Sequence, residues 1–322
     1  HAAAFALLAY QSAWLRHHYP AEFLCALLNA QPMGFYPPSS LVRDAQRRGI
    51  EVRPPDVNGS GAACTLEGET VRVGLAYVKG VGEEPARALV AEREERGTFR
   101  GVSDFAQRAP LDRQKLEALA SSGACDSFGW PRRQLLWRLG LARRETSNRS
   151  GPPSGQLSLP LEPQTAVPEL PEESPWERML ADYRTTSLSV GVHPLELLRP
   201  HLPGEVVTSS DLPEIPHGER ISVAGLVVAR QRPATANGVV FMLLEDEVGQ
   251  VNLIVPPVVY ERYRAAVRGE PLVLARGRFE RVDRNRNVVV DELTSLAPLA
   301  RRAANDAEVR ASLPSAHSFG RR

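Results

Sequence analysis

The sequence predicts a multidomain chain, mainly α in its N-terminal half and closing on a small β-barrel in its C-terminal half. Helical periodicity joined by short glycine-containing turns fills residues 78–129, whereas residues 219–296 break into five short strand-like runs separated by turn signals. Between them, from Arg143 to Pro175, the composition shifts to Ser, Pro, Gly, Gln and Glu. Such a stretch buries too little apolar surface to fold alone and reads as a linker. At 322 residues the chain is also too long for one ordinary core.

The opening reads as helix. Phe5, Leu8, Ser12 and Leu15 step at helical spacing until Tyr19-Pro20 breaks the run, and Pro20 suits the first turn of a second helix through Phe23, Leu24, Leu27 and Leu28. A helix over residues 40–48 is closed by Gly49, and residues 50–77 look irregular, with short strands at 50–52 and 70–75. Residues 176–198 read as one helix ended by Pro200, and the Arg-rich segment from Ala297 reads as loosely held. The chain starts at His1 with residues 2–9 already mid-helix, which suggests a cut inside a longer protein. The predicted parts are 1–70 (end of a preceding domain), 71–140 (paired helical hairpins), 141–175 (linker), 176–215 (helical connector), 216–298 (barrel) and 299–322 (basic tail).

Composition excludes several classes. With 43% hydrophobic and 24% charged residues the chain is globular, neither disordered nor membrane-embedded. No run approaches the roughly 18 apolar residues of a spanning helix, and no signal-peptide pattern opens the chain. Cys25, Cys64 and Cys125 lie far apart without a CxxC pair, so neither a disulfide framework nor zinc is expected, and a cytoplasmic location is. A formal charge of +1 gives no global field. Lys79 and Lys115 are the only lysines, an arginine bias that reads as codon composition, so any nucleic-acid reading must rest on local motifs.

The strongest local motif is Lys79-Gly80-Val81-Gly82-Glu83-Glu84, followed by a helix through Ala86, Leu89 and Val90. Two glycines around one small apolar residue permit a tight turn between helices. The amides of Gly82 and Glu83 then point outward at a helix N-terminus, where a phosphate binds, and Lys79 adds a charge. An ordinary helical corner with a glycine cap is the alternative, and Glu83 and Glu84 put negative charge beside the proposed phosphate. A second helical pair, Leu111 through Ser122-Gly123-Ala124 with Asp112 as N-cap, follows at once. Paired hairpins grip duplex backbone without reading bases.

Inside the linker lies Gln156-Leu157-Ser158-Leu159-Pro160-Leu161. Regularly spaced leucines are unusual in a linker. A short peptide of this kind lays its leucines in a preformed groove while the Gln amide bonds at the rim. The run resembles the hexapeptide that binds the bacterial sliding clamp, which nominates Gln156, Leu157, Leu159, Pro160 and Leu161. Packing of the leucines on a neighbouring domain is the alternative.

In the β-rich part, five strands with a helix after the third follow the order of the OB fold, which binds oligonucleotides across strands two and three. Phe241 is the aromatic of strand two, with a stacking role and a core position both open. Arg230, Arg232, Arg276 and Arg278 are the candidates for tracking phosphates, although each singly is more often a solvated surface residue. Glu245-Asp246-Glu247 reads as a hairpin turn in preference to a metal site.

These pieces together resemble the C-family bacterial DNA polymerases, the polymerase III alpha group. The likeness rests on His18-Tyr19-Pro20-Ala21-Glu22-Phe23, on residues 47–58 (Arg47-Arg48-Gly49-Ile50 through Pro54-Pro55-Asp56-Val57-Asn58), on Gly123-Ala124-Cys125-Asp126-Ser127-Phe128-Gly129, and on Gly191-Val192-His193-Pro194-Leu195. Asp182-Tyr183-Arg184-Thr185-Thr186 and the short stretch after the barrel are similar to the error-prone branch. The resemblance implies the end of a fingers domain, tandem helix-hairpin-helix units, a clamp peptide and an OB domain. It further implies duplex and single-stranded DNA, the sliding clamp and accessory translesion proteins as partners, with no membrane. The family's Mg²⁺-dependent palm lies outside these residues, so no catalytic or metal-binding residue and no cofactor is expected in this chain. A free-standing hairpin-plus-OB scaffold, a fragment of a replicative alpha subunit, and a tRNA-synthetase anticodon-binding domain remain the alternatives.

Overall fold

The computed structural model describes residues 2–33, 36–148, 170–282, 285–305, 312–314 and 316–319. It forms two compact units, residues 1–31 with 48–174 and residues 32–47 with 175–322.

The first unit opens with α1 (Ala2–His18) and α2 (Pro20–Asn29), broken at Tyr19 as the proline requires. No residue of α1 is buried; Phe5, Leu8 and Trp14 all face outward. Helix α3 (Pro38–Arg47) belongs to the second unit. Strands β1 (Val52–Arg53), β2 (Thr65–Glu67) and β3 (Thr70–Arg72) make a small sheet in the order β1-β3-β2. A 3₁₀ turn (Leu75–Tyr77) leads to α4 (Glu83–Arg96), α5 (Val102–Arg108), α6 (Arg113–Ser121) and α7 (Arg132–Asn148). Their shared core is built on Leu75, Leu89, Phe105, Leu116, Leu119 and Leu135, with Phe99 edge-on to Phe105 at 5.1 Å. Each such side chain contributes about 1.5–3 kcal/mol on burial.

The Asp56-Val57-Asn58 stretch is a clasp on these helices. The Asp56 carboxylate accepts the amides of Asn58 (2.7 Å) and Gly59 (2.8 Å). The Val57 amide donates to the Ala124 carbonyl at 2.8 Å. The Asn58 carboxamide both donates to and accepts from the Phe99 backbone, at 2.9 and 2.8 Å. A stretch that is distinctive in sequence therefore serves to hold the hairpins in place.

The second unit carries α8 (Pro175–Thr186), α9 (Pro194–Leu198), β4 (Val206–Val207), β5 (Arg220–Gln231), β6 (Val240–Glu245), β7 (Gln250–Val255), α10 (Pro257–Arg262), α11 (Arg264–Gly269), β8 (Leu272–Val282), β9 (Asn285–Ser295), α12 (Ala297–Ala304) and β10 (His317–Phe319). Antiparallel pairs β5–β6, β6–β7, β8–β9 and β5–β8 are closed by the parallel pair β7–β9. That is a five-stranded barrel in OB order, with the helices between the third and fourth strands. The fold class expected from the sequence is the fold observed. Strand β8 alternates as expected, with Ala275, Gly277 and Phe279 buried and Arg276 and Arg278 exposed. Strand β5 is buried from Ile221 to Val228 because both its faces are covered there. Val223 and Val227 enter the barrel core, while Ala224 and Leu226 pack under α8, α9 and α12.

Two expectations are corrected here. The single helix over 176–198 is broken, because Pro194 keeps His193 extended (ψ 144°) and Ser187 takes φ 61°. The segment from Ala297, expected to be loose, forms α12, which buries Ala297, Ala300 and Ala304 at helical spacing, and β10, which pairs in parallel with β5. His193, only 2% exposed, caps α9 by accepting the Leu195 amide on Nδ1 at 3.1 Å. Burial, reinforced by the Arg43 and Arg47 charges, pushes its pKa down to about 3.

Candidate nucleic-acid interface

The turn before α4 puts Lys79, Gly80 and Gly82 at the surface. Gly80 and Gly82 adopt φ of +85° and +81°, a region that strains any residue bearing a Cβ. Val81 lies between them at 2% exposure, and its amide donates to the Val78 carbonyl at 3.1 Å. Val81, nominated from the sequence with its neighbours Lys79, Gly80 and Gly82 for DNA contact, is the apolar anchor of the turn in the structure. The amides of Gly82, Glu83 and Glu84 head α4, where a helix has no carbonyls of its own to offer them. Glu83 and Glu84 both turn to Arg87, the latter at 3.0 Å, so their charge is drawn along the helix. Partial burial lowers the pKa of Lys79 from its usual value.

The second hairpin, from α6 to α7, is built differently. Asp112 caps α6 as expected, accepting the Lys115 amide at 2.9 Å. Gly123 has φ +84°, but its amide donates to Ala120 and that of Ala124 to Leu119, at 3.3 and 3.1 Å. Arg132, 7% exposed, lies over the glycine and bonds the Asp126 carboxylate at 3.0–3.1 Å and the Ser121 carbonyl at 3.3 Å. A Cβ on Gly123 would run into that guanidinium. This turn is closed on the protein itself.

The residues nominated on the barrel are not gathered into one site. Phe241 is 38% exposed on the outer face of β6, in register with Gln231 and Ile254, so the core alternative is removed. Arg230 points the other way and is 8% exposed, donating to the Val267 carbonyl at 2.7 Å and also to the Glu270 carbonyl. Burial pushes its pKa down to about 10. In the structure these bonds tie β5 to the C-terminal end of α11. Arg232 is exposed and stacks over the Tyr260 ring, 4.4 Å from its centroid. Arg276 and Arg278 sit on β8, which neighbours β5 and β9 and is not adjacent to β6. They pair with Glu205 (2.7 Å) and Glu280 (2.8 Å). The acidic run is occupied as a turn. Asp246 accepts the amides of Val248, Gly249 and Ser209, while Glu245 and Glu247 pair with Arg47 and Arg199. Gln156, Leu157, Leu159, Pro160 and Leu161 lie outside the described residues.

Residues not nominated from the sequence surround Phe241. A groove of about 660 Å³ is lined by Tyr36, Gln231, Phe241, Asn252, Ile254 and Asn287, among others. On strand three Asn252 stands between the apolar Val251 and Leu253, a local signal that could have placed it on the outer face. Nothing in the sequence announces Tyr36, which arrives from about 200 residues upstream through the tertiary fold.

A family model described as helix-hairpin-helix motif matches residues 49–135. The chain is 44% identical over 323 aligned residues to an error-prone DNA polymerase of Anaeromyxobacter dehalogenans (strain 2CP-C), covering 96% of this chain and 28% of that protein. It is 42% identical to the error-prone DNA polymerase of Pseudomonas fluorescens (strain Pf0-1), covering 93% of this chain and 29% of that protein. The chain thus spans under a third of the length of the curated relatives it matches. Among solved structures, asparaginyl-tRNA synthetase from Pyrococcus horikoshii aligns with 29% of this chain and 23% of its own, at 21% identity and a TM-score of 0.26. The resemblance to the error-prone polymerases, first read from a few motifs, holds along nearly the whole chain.

Proposed function

We propose that this stretch, related over almost all of its length to error-prone DNA polymerases, is the C-terminal DNA-engaging portion of such an enzyme. The parent performs template-directed nucleotidyl transfer in the cytoplasm during damage-induced translesion synthesis. The first hairpin holds duplex backbone, the outer face of the barrel holds single-stranded template, and Gln156 to Leu161 docks on the sliding clamp. The observation that carries the reading is 39–45% identity to these relatives across 93–96% of the chain, together with a surface turn at 79–82 inside the matched helix-hairpin-helix region.

The Mg²⁺ chemistry belongs to the rest of the parent. Among the described residues no three His, Cys, Asp or Glu side chains gather to hold a metal ion, and the one acidic run is spent on turn amides and arginines. Helix α1, with no buried residue, presents Phe5 and Trp14 as a surface for a further domain to cover.

Equilibrium binding of a primer-template duplex across a salt series tests the reading. The expected result is an affinity that falls linearly in log–log form as salt rises. No binding at low salt would overturn it. Primer extension by this chain with Mg²⁺ should give no product. Clamp pull-down should be lost when Gln156→Ala and Leu159→Ala are combined, and retention would remove the peptide from the account.

A further inference from the structure

We propose that the groove outside β6 and β7 is a base clamp, in which Tyr36 and Phe241 stack nucleobases while Gln231, Asn252 and Asn287 contact their edges. The inference rests on the reading that the barrel binds single-stranded DNA, and assigns to that face a chemistry and a set of residues.

Four observations carry it. Tyr36 and Phe241 line the same groove and are exposed, at 51% and 38%. Aromatic rings left outside a core offer faces on which any base can stack. Between and beside them the barrel register sets the three carboxamides on one surface: Gln231 opposite Phe241 on β5–β6, and Asn252 opposite Asn287 on β7–β9. None of these three side chains makes a hydrogen bond to any described residue. Each offers both donors and an acceptor, the complement a base edge needs. Lastly, among the described residues no Lys, Arg, Asp or Glu lines the groove. A neutral, amide-bearing, aromatic groove suits bases and does not suit the phosphate chain, whose track would run along the rim, beside Arg232. At about 660 Å³ the groove falls in the range of pockets that enclose small ring systems.

This assignment separates two ways of holding a single strand. Phosphate tracking by the arginines gives strong salt dependence and indifference to base loss. A base clamp gives weak salt dependence and strong sensitivity to base loss.

The test uses the full chain with a short single-stranded oligothymidine and an oligonucleotide of equal length whose central positions are abasic. Expected results are at least tenfold weaker binding of the abasic strand, and at least fivefold weaker binding of oligothymidine by Tyr36→Ala and by Asn252→Ala. Oligonucleotides carrying bromouracil should photo-crosslink to Tyr36 or Phe241. Equal binding of the abasic strand overturns the clamp. If Phe241→Ala weakens oligothymidine binding while Tyr36→Ala and Asn252→Ala do not, the barrel still binds single strands and the clamp alone fails. If none of the three variants changes binding of either strand, the single-strand reading of the barrel fails with it. Capture of an apolar peptide by the groove in place of DNA likewise counts against the clamp. Circular dichroism of each variant identifies loss of fold, and Tyr36→Phe, which keeps the ring, should bind oligothymidine as the wild type does.

Discussion

The two helical hairpins are both turned on a glycine with positive φ, yet one is open and the other closed. At residues 79–82 the glycines lie at the surface and lead into the uncapped amides of α4. At Gly123 the turn amides are used internally and the Arg132–Asp126 pair covers the glycine. The barrel repeats the contrast. Phe241 and the carboxamides face outward, whereas Arg230 is spent on the carbonyls of Val267 and Glu270. The lesson is that a glycine or an arginine marks a binding site only when its polar atoms have not already been taken up by the protein. Closed positions should govern stability, and open positions affinity.

The largest effect should come from Gly123→Ala. A left-handed Cβ driven into the Arg132 guanidinium combines backbone strain with overpacking, and should cost about 3 kcal/mol or more. Chemical denaturation followed by circular dichroism checks this. Gly82→Ala, with only Pro85 near its Cβ at 3.8 Å, should cost about 1 kcal/mol, so equal losses at the two glycines would break the comparison.

Acid should act on the closed class next. The folded pKa of His193, about 3, lies below its unfolded value near 6.5. Between those values the unfolded chain takes a proton that the folded chain refuses. Stability therefore falls as pH drops through this window, by up to about 1.4 kcal/mol per pH unit. Glu245, whose pKa burial raises, opposes the effect near its own titration. Denaturation midpoints between pH 7 and pH 4 should decline less steeply in His193→Asn, where the amide keeps a capping oxygen. Matching slopes would contradict the assignment.

Smaller again is Arg230→Met, expected to cost about 2 kcal/mol by stranding the carbonyl of buried Val267 and losing the bond to Glu270, with DNA affinity unchanged once the protein is folded. Arg276→Ala and Arg278→Ala, exposed and paired only with surface carboxylates, should change stability by less than about 1 kcal/mol. A large loss of single-strand affinity in either would return the phosphate track to β8.

Much of the fold was legible because its signals are local. The alternation of β8, the Tyr19-Pro20 break, the Asp112 cap and the five-strand order all follow from residues that are neighbours in sequence. Burial of Arg230 was not legible, because the carbonyls that hold it lie in α11 and at its C-cap, far away in the chain. The same is true of Tyr36. The Glu83 and Glu84 charges looked hostile to phosphate until Arg87, one turn on, was seen to hold both. Sequence spacing reported which residues share a face; which polar atoms remain unused depended on tertiary contacts.

The most direct measurement is the salt dependence of duplex affinity for the wild type, Lys79→Ala and Arg133→Ala. If the open turn contacts phosphate, Lys79→Ala reduces the slope of log affinity against log salt by about 0.9, while Arg133→Ala, at the closed hairpin, leaves it unchanged. An unaltered slope in Lys79→Ala, or a reduced one only in Arg133→Ala, would contradict the account.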